Sequence, residues 1–185
     1  MNAAPAGRCW ALFDTALGRC GIAWTARGIA AVQLPEADDA ATRRGLLRRL
    51  PGATETEPEG QARHAVDAIR ALLADGRTDL ADLPLDEEGL DDFARRVYAV
   101  TRAIAPGRTL TYGEVARRIG EPDAARAVGQ ALGRNPCPIV VPCHRVLAAG
   151  GRPGGFSGGA GVVTKLRMLA IERSPGPLFD QPASR

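Results

Sequence analysis

The densest chemistry in the 185-residue chain lies in "VPCHRVLAAGG", Val141 to Gly151, where Cys143, His144 and Arg145 stand side by side after a proline. A thiol becomes a good nucleophile when a histidine takes its proton or a cation lowers its pKa, and both kinds of neighbour are present. The pair is compatible with four chemistries: a metal-ligand pair, a hydrolase dyad, an inert structural thiol, or a nucleophile of another kind. On an extended strand residues 143 and 144 point to opposite faces. Direct cooperation therefore requires a turn at this point or a water between the two side chains.

The remaining thiols and imidazole add little. Besides Cys143 there are Cys9, Cys20 and Cys137, and besides His144 only His64. No C-x-x-C occurs, and Cys9, Cys20 and His64 follow no common zinc spacing, so no metal and no cofactor is expected. His64 reads as a surface residue of its helix and Cys137 as packing. In a reducing cytosol all four cysteines are thiols.

Composition is that of an ordinary globular protein, with 45% hydrophobic and 24% charged residues. No apolar run suits a membrane span, and the first residues have no basic start followed by a long apolar core, so a cytoplasmic protein is expected; a monomer is expected as well. The net charge of +3 conceals a split. Residues 1–92 hold 10 Arg against 16 Asp and Glu, whereas residues 93–185 hold 14 Lys and Arg against 5 Asp and Glu. A basic second half is suited to a polyanion such as nucleic acid.

These residues must be positioned by the surrounding elements. "CWALFDTALGRCGIAWTARGIAAVQL" predicts a β-meander with turns at Leu17-Gly18 and Arg27-Gly28. "DDAATRRGLLRRL" predicts a helix, and "PGATETEPEG" a polar loop. "QARHAVDAIRALLADG" predicts a helix with Val66, Ile69, Leu72 and Leu73 on one stripe and Gly76 as its stop. "TDLADLPLDEEG" reads as a short strand and an acidic connector, with the domain boundary near residues 84–90. Phe93, Val97, Val100 and Ile104 recur at helical spacing, ended by Pro106-Gly107. Thr111 with Glu114 three residues on is a capping-box signature for a short helix to Ile119. After a Gly120-Glu121-Pro122 turn, a second helix is expected from about Asp123 to Leu132, which makes a helix-turn-helix. "CPIVVP" reads as an apolar strand. "VVTKLRMLAIERS" reads as a closing helix with Leu166, Leu169 and Ala170 inward.

"TYGEVARRIGEPDAARAVGQALGRNPCPIVVPCHRVLAAGG" followed by "GGFSGGAGVVTKLRMLAIE" resembles the O6-alkylguanine-DNA alkyltransferases, the methylated-DNA–protein-cysteine methyltransferases. The resemblance covers about residues 90–173. "DTALGRCGIAW" resembles the family's opening hairpin more weakly. It implies an α+β fold in three parts. Residues 1–88 would form a small N-terminal α/β, ribonuclease-H-like domain with an antiparallel sheet. Residues 89–173 would form a mostly helical, winged-helix-like catalytic domain with the helix-turn-helix, and residues 174–185 a flexible tail. It further implies direct-reversal DNA repair: stoichiometric transfer of the alkyl group from O6-methylguanine, and from O4-methylthymine, in a flipped-out base of double-stranded DNA.

The resemblance also implies roles. Cys143 accepts the alkyl group. His144 takes the thiol proton through a water, and Glu172 orients and charge-balances His144. Tyr112 donates a proton or hydrogen bond to the leaving guanine and faces the base or its 3′ phosphate. Arg126 fills the stack left by the flipped base, with Ala125, Ala127 and Gly129 beside it against the DNA. Val146, Phe156 and Ser157 line the base pocket with Tyr112, and Asn135 braces the turn carrying the cysteine.

Independent physical arguments agree with this picture. Reaching the O6 substituent inside the stack requires flipping, at a cost of a few kcal/mol. The small residues Ala124, Ala125, Ala127, Gly129 and Ala131 suit close packing in a minor groove better than base reading in a major groove. A thioether product has no easy leaving group, so one turnover consumes the protein. The chain departs from the family at Phe156, where a tyrosine is usual, and so lacks that hydroxyl in the pocket. A lesion-binding protein without transfer, a cysteine hydrolase and a transcription regulator are the competing readings. The presence of Cys143 weighs against the first, Arg126 against the second, and the alanine-rich helix against the third.

Overall fold

The structure, a computed structural model, describes residues 7–173, so the expected tail lies outside the described residues. The architecture is α+β. Strands β1 (Cys9–Thr15), β2 (Gly18–Thr25) and β3 (Gly28–Gln33) form the expected antiparallel meander. Helix α1 (Asp39–Arg49) is capped by Asp38, whose side chain accepts from the Ala41 amide. The "PGATETEPEG" segment is not only loop. It contributes β4 (Thr54–Glu55), which pairs parallel with β1 and completes the order β3-β2-β1-β4. Two residues paired on one side carry no periodicity, so no pattern marks β4 in advance.

Strand alternation divides the sheet's contacts. Trp10, Ala23 and Ala31 pack under Leu46 and Leu50 of the α1 region. Cys9, Ala11, Phe13, Cys20, Ile22 and Trp24 belong to the main core, which continues through Val66, Ile69 and Leu72 of α2 (Gly60–Asp75). That core also takes in Val97 and Tyr98 of α3 (Asp92–Arg102), so it extends through both halves of the chain. Gly76 ends α2 with a φ of 69°, and a Cβ there would lie 2.1 Å from the Ile171 carbonyl oxygen. The glycine thus serves both the left-handed cap and a close approach to the last helix.

The connector before α3 holds no full strand: Leu85 forms one isolated bridge with Ile29. The β3 edge is filled by this bridge and by the Val32 amide, which donates to the Pro136 carbonyl at 2.9 Å. Strand β5 (Leu110–Thr111) leads into α4 (Tyr112–Arg118), with the capping box closed in both directions between Thr111 and Glu114. The Glu114 amide donates to Thr111 Oγ1 at 3.2 Å, and the Thr111 amide to Glu114 Oε2 at 2.6 Å. Such a cap contributes about 1 kcal/mol. Helix α5 (Ala125–Gly133) follows, and Tyr98 of α3 donates from its hydroxyl to the Ala131 carbonyl at 2.9 Å.

Two expectations fail here. "CPIVVP" is a turn rather than a strand: the Val141 amide donates back to the Cys137 carbonyl at 2.8 Å, and Ile139 takes a φ of 76°. Its apolar residues are buried because the loop lies in the core, which a run of apolar residues cannot distinguish from a strand. In α6 (Val162–Ile171) the buried residues are Thr164, Lys165, Met168 and Leu169, while Ala170 is exposed and Leu166 only half-buried. The helix is rotated by about one residue from expectation, because Lys165 takes a core position.

Candidate active site

Cys143 opens a short 3-10 turn, Cys143–Arg145, that runs into β6 (Val146–Leu147) beside β5. This turn resolves the geometric difficulty of neighbouring residues on a strand. The segment before it is held by Asn135. Its Nδ2 donates to the Val141 carbonyl at 2.8 Å, and its Oδ1 accepts from the Cys137 amide at 2.9 Å. Ile139, β-branched yet at positive φ, is tolerated because the surrounding core fixes the loop. Asn135 thus sits where a brace for the cysteine turn belongs.

His144 is buried and its Nε2 lies 2.8 Å from Glu172 Oε1. Glu172 follows α6 directly and has a second partner that sequence reasoning placed elsewhere. Its place in the sequence makes Arg145 a candidate cation for the thiol. Instead its Nε donates to Glu172 Oε2 at 2.9 Å, its Nη2 to Oε1 at 2.8 Å, and its Nη1 to the Ile104 carbonyl at 2.5 Å. This forked pairing fixes the carboxylate plane and neutralises it.

The electrostatics are consistent with a relay. Burial alone would raise the Glu172 pKa, but the hydrogen bonds and charges of His144 and Arg145 prevail and hold it at about 2. Glu172 is therefore ionised and can only accept, which makes His144 Nε2 the protonated nitrogen and leaves Nδ1 with the lone pair. Among the described residues Nδ1 has no protein partner. Burial pushes the His144 pKa down, against the pull of Glu172, so the ring is neutral at pH 7. Burial likewise pushes the Cys143 thiol up, opposed by Asn135 and Lys165. The resting site is a neutral thiol beside a neutral base.

Cys143 is 9% exposed, and it lines a cavity of about 530 Å³. Tyr112, Ala125, Arg126, Gly129, Asn135, Phe156 and Ser157 share its wall, so helix-turn-helix, cysteine turn and glycine-rich loop meet there. Tyr112 is half-buried, with its pKa raised by burial and by Cys143. A Cβ on Gly154, whose φ is 70°, would lie 3.0 Å from the Tyr112 hydroxyl, so only glycine lets the loop pass so close. Arg126 is exposed at the rim. Ser157 Oγ donates to the Gly133 carbonyl at 3.2 Å and ties the loop to α5. Ala127 and Val146 do not line the cavity; Val146 is fully buried and its carbonyl accepts from Lys165 Nζ at 2.6 Å.

Lys165 escaped the sequence reading. It is the chain's one lysine, fully buried, with Nζ 5.9 Å from the Tyr112 ring centre and 6.0 Å from that of Phe156. Burial lowers its pKa to about 8. The signal available was its position in the closing helix of a chain that otherwise uses arginine for every side-chain cation.

Among the described residues no group of three or more His, Cys, Asp or Glu is arranged to hold a metal ion. None of their helices is long and apolar enough to cross a membrane.

A buried thiol that opens into a cavity lined by a helix-turn-helix, next in the chain to a histidine paired with a carboxylate, defines the class of fold and site. Comparison with known proteins agrees. Residues 92–174 match the family model of the 6-O-methylguanine DNA methyltransferase DNA-binding domain. The chain is 43% identical over 135 residues to the methylated-DNA–protein-cysteine methyltransferase of Mycobacterium bovis, covering 70% of this chain and 79% of that protein. It is 40% identical over 131 residues to the DNA base-flipping protein of Thermus thermophilus, covering 69% and 86%. The crystal structure of Mycobacterium tuberculosis OGT in complex with DNA superposes with a TM-score of 0.71 at 32% identity, covering 91% of this chain and 96% of that one. The chain belongs to the methylated-DNA–protein-cysteine methyltransferase family.

Proposed function

We propose that this protein repairs alkylated DNA by direct reversal, moving the alkyl group of O6-methylguanine, and of O4-methylthymine, from a flipped-out base to Cys143 in a single turnover. The observation that carries the reading is Cys143 in the wall of a cavity that Tyr112, Ala125, Arg126 and Gly129 of the helix-turn-helix also line, with the neighbouring His144 held by Glu172. His144 Nδ1 takes the Cys143 proton through a water as sulfur attacks the methyl carbon. An S–C bond forms, the C–O6 bond breaks, and its electron pair goes to the guanine. Tyr112 supplies a proton or hydrogen bond to that developing anion. Glu172, pinned by Arg145, stabilises the imidazolium that forms in passing.

Flipping costs a few kcal/mol, and Arg126, exposed at the rim, is long enough to occupy the vacated stack. Ala125, Ala127 and Gly129 keep α5 thin enough to approach a minor groove. Phe156 and Ser157 would bound the flipped base. The division into a ribonuclease-H-like unit over residues 1–88 and a winged-helix-like unit over residues 89–173 is supported by two features. These are the meander with its parallel fourth strand, and the α4–α5 pair beside β5 and β6.

The test is an intact-mass measurement after incubation with a duplex carrying O6-methylguanine, followed by peptide mapping. The expected result is one added methyl on Cys143 at one equivalent. Tight binding without a mass change would support the lesion-binding reading instead, and continued turnover of an ester would support a hydrolase.

A further inference from the structure

The first half of the chain is acidic overall, yet α1 gathers Arg43, Arg44, Arg48 and Arg49. The residues it buries are Thr42, Gly45 and Leu46, a stripe at helical spacing. Three to four residues further along the same stripe stands Arg49. Helix periodicity assigns that position to the core, but Arg49 is exposed. The reason is that the last turn of α1 reaches over the cavity: Arg49 lines it together with Cys143 and Arg126. The ion pair that α1 makes among the described residues, Asp39 with Arg19, is at the opposite end of the helix.

We propose that Arg49 is a phosphate contact, and that α1 thereby holds the DNA strand entering the cavity from the side opposite the helix-turn-helix. The inference rests on the flipped-nucleotide reading. A flipped nucleotide carries its 5′ and 3′ phosphates to the mouth of the cavity that receives it. The mouth has guanidinium groups from two separate elements, Arg126 on α5 and Arg49 on α1. A planar guanidinium suits two phosphate oxygens, and the contact positions the strand without reading its sequence. The acidic character of the rest of the first half makes a diffuse attraction by that half a poor account of four cations on one helix.

The experiment measures affinity for a lesion duplex against salt concentration in a Cys143→Ala background, and single-turnover transfer in the otherwise native chain. Arg49→Gln should weaken duplex affinity about five- to tenfold near 0.1 M salt and reduce the slope of log K against log salt by about one. Arg49→Glu should do more, and Arg49→Lys should restore most of the slope. Transfer from the free O6-methylguanine nucleobase should proceed at the native rate in all three. Arg43→Gln, six residues earlier on another face of the helix, should match the native protein. An unchanged slope in both Arg49→Gln and Arg49→Glu overturns the proposal. So does an equal slowing on the free base, which would place Arg49 in the base pocket, or an equal loss in Arg43→Gln, which would reveal only diffuse charge. If the native chain transfers no methyl group, the functional reading itself has failed, an outcome separate from these.

Discussion

Glu172 Oε1 lies 2.8 Å from His144 Nε2, and the same oxygen accepts from Arg145 Nη2 at 2.8 Å. The carboxylate is shared between a buried imidazole and a buried guanidinium. Burial is the main cause that holds the His144 pKa below its usual value, and the charge of Arg145 adds to it against the pull of Glu172. Coupled groups of this kind are removed only at a cost to both fold and chemistry.

Glu172→Gln should accordingly unfold more easily and transfer more slowly. Breaking a buried ion pair from one side costs about 3–5 kcal/mol, because Arg145 is left buried and uncompensated. Denaturant unfolding and single-turnover transfer are the two measurements. A variant as stable as the native chain would contradict the pairing.

The same carboxylate sets an acid limit on stability. Its pKa is depressed from 4.5 to about 2, so its contribution is fully present above pH 4.5 and is lost as pH falls through about 2. At about 1.4 kcal/mol per unit this amounts to about 3 kcal/mol. His144, also depressed below its usual 6.5, adds a loss that begins as pH falls below 6.5. Unfolding free energy followed from pH 8 to pH 3 should decline in the native chain and decline less in Glu172→Gln.

Transfer should depend on pH in a way that separates a histidine-served thiol from a free thiolate. Cys143 is pushed above its ordinary 9.0 and His144 below 6.5. The rate should be flat between about pH 7 and 9 and fall on the acid side as His144 takes a proton. A tenfold rise per unit towards pH 9, measured by methyl transfer from duplex DNA, would mean that solvent rather than His144 removes the proton.

Asn135→Ala removes both hydrogen bonds that hold the turn before Cys143 and leaves buried backbone groups without partners. A loss of about 2 kcal/mol in stability is expected, with slower transfer at unchanged DNA affinity. Chemical denaturation and binding to a lesion duplex check the two parts separately.

Arg126→Ala should slow transfer in duplex DNA and leave the rate on free base as it was, since only the duplex has a stack to refill. Comparing the two substrates in single-turnover assays decides it. Equal slowing on both would refute the base-replacement role.

Local signals are legible in the sequence wherever one residue type has one physical reason to be in place. The Thr111–Glu114 capping box, the Gly76 stop, and the stripe of Val66, Ile69, Leu72 and Leu73 all depend on neighbours within a turn of chain. They were legible because period and cap chemistry are local. The strand expected at "CPIVVP" failed for the converse reason: a loop buried in the core has the same composition as a strand, and only the Asn135 hydrogen bonds and the contact with β3 distinguish them. Strand β4 went unseen because its reason to exist is β1.

By itself the sequence determined the chemistry on offer: a thiol, an imidazole, a carboxylate and a helix-turn-helix with small residues around an arginine. Tertiary structure decided which groups meet. It gave Arg145 to Glu172 rather than to the thiol, buried the one lysine beside Tyr112, and brought Arg49 from the acidic half to the mouth of the cavity. Those partnerships join residues far apart in the chain, and they follow from burial and packing that no local periodicity records.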